Sequence, residues 1–103
     1  MKEITSINEF NDFIKKENST VIFYNKWCPV CKMLIFSFDE YCEDHQNLNV
    51  RKVCISELKD LAEHLNIKST PTILIFNNGE VIEKRHGMLE YDEIDEIFLS
   101  LTR

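Results

Sequence analysis

Two short apolar runs, residues 20–24 (TVIFY) and 72–76 (TILIF), constrain the fold of this chain more than any other feature of its sequence. Both are rich in β-branched and aromatic residues and contain almost no polar interruption. Strands of this kind are typical of a sheet that is covered on both faces. Helices are therefore required on each face, and the segments between and after the two runs carry apolar residues at helical spacing.

The remaining segments complete an alternating pattern of strands and helices. Ser6 and Glu9 form a Ser-x-x-Glu capping box at the start of the first helix, and Asn78-Gly79 is a strong signal for a hairpin. Further strands are predicted at residues 2–5, 49–55 and 81–84, and helices from residue 6, from 29 to about 45, at 57–65 and at 91–101. The order βαβαβαββα predicts an α/β fold in which a central mixed sheet of about five strands is flanked by about four helices.

Length and charge exclude several classes of function. The 103 residues suit one domain, predicted to span residues 1–103. Acidic residues number 18 against 12 basic ones, and the formal charge of −6 argues against nucleic acid as a partner. No apolar run is long enough to cross a membrane, and the first residues lack the pattern of a secretory signal. These features predict a cytoplasmic protein, in a compartment where cysteines are usually free, metal-bound or catalytic.

The four cysteines are not needed as staples, because a chain that is 44% hydrophobic can bury a core without them. Cys28 and Cys31 are separated by two residues and lie where a helix is predicted to follow a buried strand. Cys28 then occupies the helix N-cap, where unpaired N–H groups and the helix dipole lower the pKa of its thiol. Cys31 lies one turn inside and is expected to be more shielded. The pair predicts a redox-active dithiol.

The other two cysteines, Cys42 and Cys54, are predicted to be small buried hydrophobic residues, with a regulatory disulfide or a mixed adduct as the alternative. A zinc site built from all four cysteines is disfavoured, since the spacing lacks the second close pair of a zinc ribbon, and no metal is predicted. His45, His64 and His86 are scattered along the chain and are predicted to lie at the surface. They do not predict a cysteine hydrolase, in which a histidine lies beside the nucleophilic cysteine.

Several motifs together resemble the thioredoxin family over nearly the whole chain. Residues 76–80 (FNNGE) resemble the family's hairpin, and Gly87 matches the glycine that follows its last strand. Thr70-Pro71 falls where the family has its cis-proline. The family's active-site frame is matched by Trp27, Cys28, Cys31 and Lys32.

The resemblance implies a role for the residues around the cysteine pair. It implies that Cys28 is the nucleophile and that Cys31 resolves the mixed disulfide. Trp27 is expected to pack beside the pair and limit the access of water. Lys52 occupies the position of the family's lysine under the active site, where its charge can favour a thiolate.

The same resemblance implies a substrate-binding edge. It implies that the Thr70–Pro71 bond is cis and that the Thr70 backbone is thereby oriented to pair with an extended substrate peptide near Cys28. Gly87 and Trp27 are expected to border this edge.

Two departures from the family pattern matter for the chemistry. Ile22 stands where the family has a buried aspartate that helps to take the proton from the resolving thiol. Water or another group must then accept that proton. Between the cysteines, Pro29-Val30 replaces the family's Gly-Pro, and this change tunes the reduction potential because Pro29 offers no N–H to the sulfur.

The sequence therefore predicts a thiol–disulfide oxidoreductase that reduces disulfides in protein substrates and needs no bound cofactor. Its electrons are expected to come from a thioredoxin-reductase-type donor, and the protein is expected to be a monomer. Two alternatives stay open at this point. One is a binding module that keeps the fold without turnover, and the other is a glutaredoxin-like, glutathione-dependent enzyme.

Overall fold

The computed structural model describes residues 1–102. Within them, five strands and four helices follow each other in the predicted order, which confirms the predicted fold class. The elements are β1 (Lys2–Glu3), α1 (Ile7–Phe13), β2 (Ser19–Tyr24), α2 (Pro29–Asp44), β3 (Val50–Cys54), α3 (Lys59–His64), β4 (Thr72–Asn77), β5 (Glu80–His86) and α4 (Tyr91–Leu101).

The strands form one mixed sheet in the order β1-β3-β2-β4-β5. β3 runs parallel to both β1 and β2, whereas β4 is antiparallel to β2 and to β5. The two apolar runs of the sequence are thus the central pair, β2 and β4. Their side chains are almost entirely removed from solvent, as a sheet covered on both faces requires.

Each face of the sheet has its own apolar core. One core packs α1 and α3 against the sheet and includes Phe10, Phe23 and Phe76. The other packs α2 and α4 against the opposite face and includes Ile22 and Phe38. Full burial of such a side chain stabilises the fold by about 1.5–3 kcal/mol. The second core holds the helix that contains Cys31 and begins directly after Cys28.

Most element boundaries agree with the sequence prediction, and the two clearest differences have a local cause. The first strand is shorter than predicted, because the Thr5 N–H turns to the side chain of Glu9 at 2.8 Å and begins the cap of α1. The third helix starts later than predicted, because Glu57 and Leu58 both donate backbone N–H groups to the Cys54 carbonyl and form a turn. The Asn78-Gly79 hairpin is confirmed, since both residues have positive φ.

Candidate active site

Cys28 is the N-cap residue of α2, and Pro29 takes the first helical position. Proline suits that position because its φ is already helical and its missing N–H would have no partner there. Further along this first turn, the Cys31 N–H lies 3.2 Å from Cys28 Sγ. This donor and the helix dipole both favour negative charge on the Cys28 sulfur.

Cys28 and Cys31 are joined by a disulfide. The two sulfurs differ in their access to solvent: Cys28 is partly exposed, whereas Cys31 is only 1% exposed. A substrate can therefore approach Cys28, while Cys31 is covered. This is the difference expected between an attacking and a resolving thiol.

The segment before β4 lies directly opposite the disulfide. The Thr70–Pro71 bond is cis, as the family resemblance implied, and the Thr70 carbonyl oxygen lies 3.9 Å from Cys28 Sγ. Gly87, just after β5, donates its backbone N–H to the Pro71 carbonyl at 3.0 Å and has a φ of +77°, which glycine adopts without strain. The structure thus brings Thr70, Pro71 and Gly87 together at one edge beside Cys28.

Trp27 does not shield the disulfide, and the prediction that it packs beside the cysteines and limits water access is wrong. Its side chain is 91% exposed. The reason lies in the loop that joins β2 to α2, which carries Trp27 outward just before the helix begins. Along α2, Val30, Met33 and Phe36 are also exposed, so an apolar strip continues from Trp27 down the outer side of the helix.

A cavity of about 350 Å³ lies on the other side of the disulfide, and we call it the rear cavity. Its lining includes Tyr24, Lys26, Cys31, Ile35, Asp39 and Lys52. Lys52 and Cys31 thus line the same cavity, and Lys52 Nζ is 5.4 Å from the centre of the Tyr24 ring. Ile22 is fully buried in the core between the sheet and α2 and is not part of this lining.

Sequence reasoning missed two residues of this region, Tyr24 and Glu3. The Tyr24 hydroxyl donates a hydrogen bond to Glu3 Oε1. Burial raises the pKa of Tyr24, and the neighbouring Glu3 carboxylate raises it further. Strand alternation could have found Tyr24, since it lies two residues after Ile22 and so on the same face of the sheet. Glu3 comes next to Tyr24 only through strand pairing, which the sequence does not show.

The remaining cysteines lie outside this site. Cys54 is buried as predicted, with its Sγ 3.2 Å from Ser56 Oγ. Cys42 is only half-buried, so the prediction that it is a buried core residue is wrong, because the inward position on that turn of α2 belongs to Tyr41. Partial burial still raises the pKa of the Cys42 thiol. In residues 1–102, no group of three or more potential ligands is placed to hold a metal ion, and no helix could span a membrane.

Comparison with known proteins agrees with this geometry. The thioredoxin family model matches residues 2–99. A thioredoxin of Mycoplasmoides gallisepticum is 30% identical over 98 residues, covering 94% of this chain and 98% of that protein. Thioredoxin-1 of Saccharomyces cerevisiae is 29% identical over 86 residues, covering 82% of this chain and 84% of that protein. The solution structure of oxidised thioredoxin from Plasmodium falciparum superposes with a TM-score of 0.87 at 25% identity, covering 100% and 99% of the two chains.

A redox pair of cysteines at the start of a helix, in this fold and with these relatives, defines a protein-disulfide oxidoreductase. The chain belongs to the thioredoxin family. The alternatives of a binding module without turnover and of a glutaredoxin-like enzyme are not favoured.

Proposed function

We propose that this protein reduces disulfides in protein substrates through Cys28 and Cys31. The Cys28 thiolate attacks one sulfur of the substrate disulfide, forms a mixed disulfide and releases the first substrate thiolate. Cys31, after losing its proton, attacks Cys28. The Cys28–Cys31 bond forms, the bond to the substrate breaks, and the second substrate thiolate leaves. Two electrons pass from the cysteine pair to the substrate.

The observation that carries this proposal is the contact between Cys31 N–H and Cys28 Sγ at 3.2 Å. It places a backbone donor on the sulfur that has to be an anion in the reduced protein. The same contact explains why the pair needs two intervening residues, since the N-cap and the third helical residue are one turn apart.

The substrate is expected to lie as an extended peptide along the edge formed by Thr70, Pro71 and Gly87, with Trp27 and Val30 bordering it. Support comes from the Thr70 carbonyl, which lies 3.9 Å from Cys28 Sγ and can accept a backbone N–H of such a peptide. An exposed tryptophan next to the edge offers a large apolar contact to a bound chain.

We further propose that the protein works as a monomeric single domain in the cytoplasm. No bound cofactor is required, because a thioredoxin-reductase-type donor can return two electrons to the Cys28–Cys31 disulfide by the same exchange chemistry. Lys32, on the first turn of α2, and Lys52, in the rear cavity, supply positive charge near the pair and favour the reduced, anionic form.

The test is the reduction of insulin disulfides with dithiothreitol as the electron source. The wild-type protein is expected to accelerate the precipitation of insulin, and Cys28→Ser is expected to abolish the acceleration. Cys42→Ser is the matched control, because it removes a cysteine of the same helix outside the site, and it should leave the rate unchanged. A wild-type protein no faster than Cys28→Ser would overturn the proposal.

A further inference from the structure

The proposed function includes one step, the deprotonation of Cys31, for which it names no proton acceptor. Cys31 must lose its proton before it can attack Cys28, yet its side chain is only 1% exposed. Ile22, at the position where the family has its buried aspartate, carries no acceptor and is fully buried. Any group that accepts the proton has to come from elsewhere around the rear cavity.

Strand pairing places a carboxylate in the same row of the sheet as Ile22. Ile22 pairs with Lys52 of β3, and Lys52 pairs with Glu3 of β1. Side chains of paired residues in neighbouring strands point to the same face of a sheet. Lys52 lines the rear cavity under α2, so Glu3 also belongs to the face that carries the active-site helix.

Tyr24 connects that carboxylate to the cavity. It lies two residues after Ile22 on β2, borders the rear cavity together with Cys31, and donates its hydroxyl to Glu3 Oε1. A hydroxyl can give one proton to an acceptor while it takes another from a donor on its other side. The cavity volume of about 350 Å³ is sufficient to admit water between Cys31 and this hydroxyl.

We propose that Glu3, acting through Tyr24, accepts the proton that the Cys31 thiol loses when it resolves the mixed disulfide. The thiol proton passes into the rear cavity and onto the Tyr24 oxygen as the Tyr24 proton moves to the Glu3 carboxylate. The Cys31 thiolate then attacks Cys28, and the substrate thiolate leaves with the electron pair. Lys52 stabilises the negative charge while it lies on sulfur. Glu3 and Tyr24 are thus positioning residues for the resolving step, and this assignment rests on the proposed function.

Other charged groups around the cavity fit this assignment. Lys26 is paired with Glu57 at 2.8 Å, and Lys32 is exposed on the first turn of α2. Asp39, a carboxylate of the lining itself, lies on α2 eight residues after Cys31, which corresponds to about 12 Å along the helix axis. Its Oδ1 is 3.2 Å from the Met1 nitrogen. Asp39 therefore serves as the control carboxylate.

The experiment follows the reaction of the reduced protein with 5,5′-dithiobis(2-nitrobenzoate), in a Cys42→Ser background, by stopped-flow absorbance. The first release of the coloured thiolate reports attack by Cys28, and the second, whose rate does not depend on reagent concentration, reports attack by Cys31. Glu3→Gln is expected to slow the second release about tenfold or more at neutral pH and to leave the first unchanged. The deficit should vanish above the ordinary cysteine pKa of about 8.5, where the thiol ionises without help.

Tyr24→Phe should reproduce the slow second release, and Asp39→Asn should leave it at the wild-type rate. An unchanged second release in Glu3→Gln would overturn the proposal, as would an equal loss in Asp39→Asn. If Glu3→Gln also slows the first release, Tyr24→Phe becomes the deciding variant. A slow second release in Tyr24→Phe supports the proposal, and an unchanged one overturns it. Failure of the proposed function appears separately, as a wild type that shows both releases but does not reduce insulin.

Discussion

The front of the redox site, where Cys28 faces the Thr70–Pro71 edge, and the rear cavity behind Cys31 are built from different kinds of groups. The front consists mainly of backbone atoms: Cys31 N–H, the Thr70 carbonyl, and the Gly87 N–H bonded to the Pro71 carbonyl. The rear consists of side chains, with Tyr24, Lys52 and, through Tyr24, Glu3.

This difference explains which half of the site follows the family pattern. Backbone donors and acceptors are supplied by any sequence that adopts the same turn and helix start, so the front tolerates the change to Pro29-Val30. A side-chain acceptor exists only where a suitable residue lies within reach. With an isoleucine at position 22, the acceptor that we propose comes from another strand, because β1 carries Glu3 in the same row of the sheet.

The largest effect on activity is expected from Cys31→Ser, which removes the thiol next to the rear cavity and leaves Cys28 at the front of the site intact. Cys28 keeps its place at the N-cap and should still attack a disulfide, but no thiol remains to release the substrate. Turnover in the insulin assay should be lost, and in the absence of dithiothreitol a covalent adduct with the substrate should accumulate. Non-reducing electrophoresis with mass spectrometry measures the adduct, and Cys28→Ser, which should form none through this site, is the control.

A smaller effect, on stability, is expected from Ile22→Asp, which introduces the family's buried carboxylate at this position of the core. Because Ile22 is 0% exposed, this change should lower the free energy of unfolding by about 3 kcal/mol at neutral pH. Ile22→Val is the size control and should cost about 0.5–1.5 kcal/mol. Urea denaturation measures both.

The penalty in Ile22→Asp should depend on pH in a defined direction. Burial raises the pKa of the new carboxyl above its unfolded value of about 3.9, so the folded state holds its proton longer than the unfolded state. The stability of the variant relative to Ile22→Val is therefore greatest below about pH 3.9 and falls as pH rises toward the folded pKa. A deficit against Ile22→Val that is the same at pH 4 and pH 8 would show that Lys52 compensates the charge fully.

The smallest effect on stability is expected from Trp27→Ala at the front. A side chain that is 91% exposed contributes little to the fold, so the free energy of unfolding should change by no more than about 0.5 kcal/mol. The matched aromatic control, Phe23→Ala in the centre of β2, should cost about 3–5 kcal/mol. If Trp27 borders bound substrate, Trp27→Ala raises the KM for insulin while leaving stability intact. A change in stability comparable to that of Phe23→Ala would show that Trp27 is packed in solution.

Local patterns predicted a large part of the molecule. Apolar spacing gave α4 with its observed bounds, and the Asn78-Gly79 pair gave the hairpin, because both signals depend only on neighbours in the chain. The predictions for Trp27 and Cys42 failed because the exposure of a side chain depends on the tertiary structure and not only on neighbours in the chain. Whether a side chain is covered depends on the direction in which a loop leaves the sheet and on which residue of a helical turn meets the partner helix.

The amino-acid order alone determined the chemistry at Cys28, because an N-cap position, a proline at the first helical residue and a second cysteine one turn later are local properties. The partner groups of Cys31 were decided only by the tertiary structure. Strand pairing joins Glu3 to a row that includes Lys52 and Ile22, although 49 residues separate Glu3 from Lys52 along the chain. No local pattern carries that register, because it is set by the packing of the whole sheet between its two layers of helices.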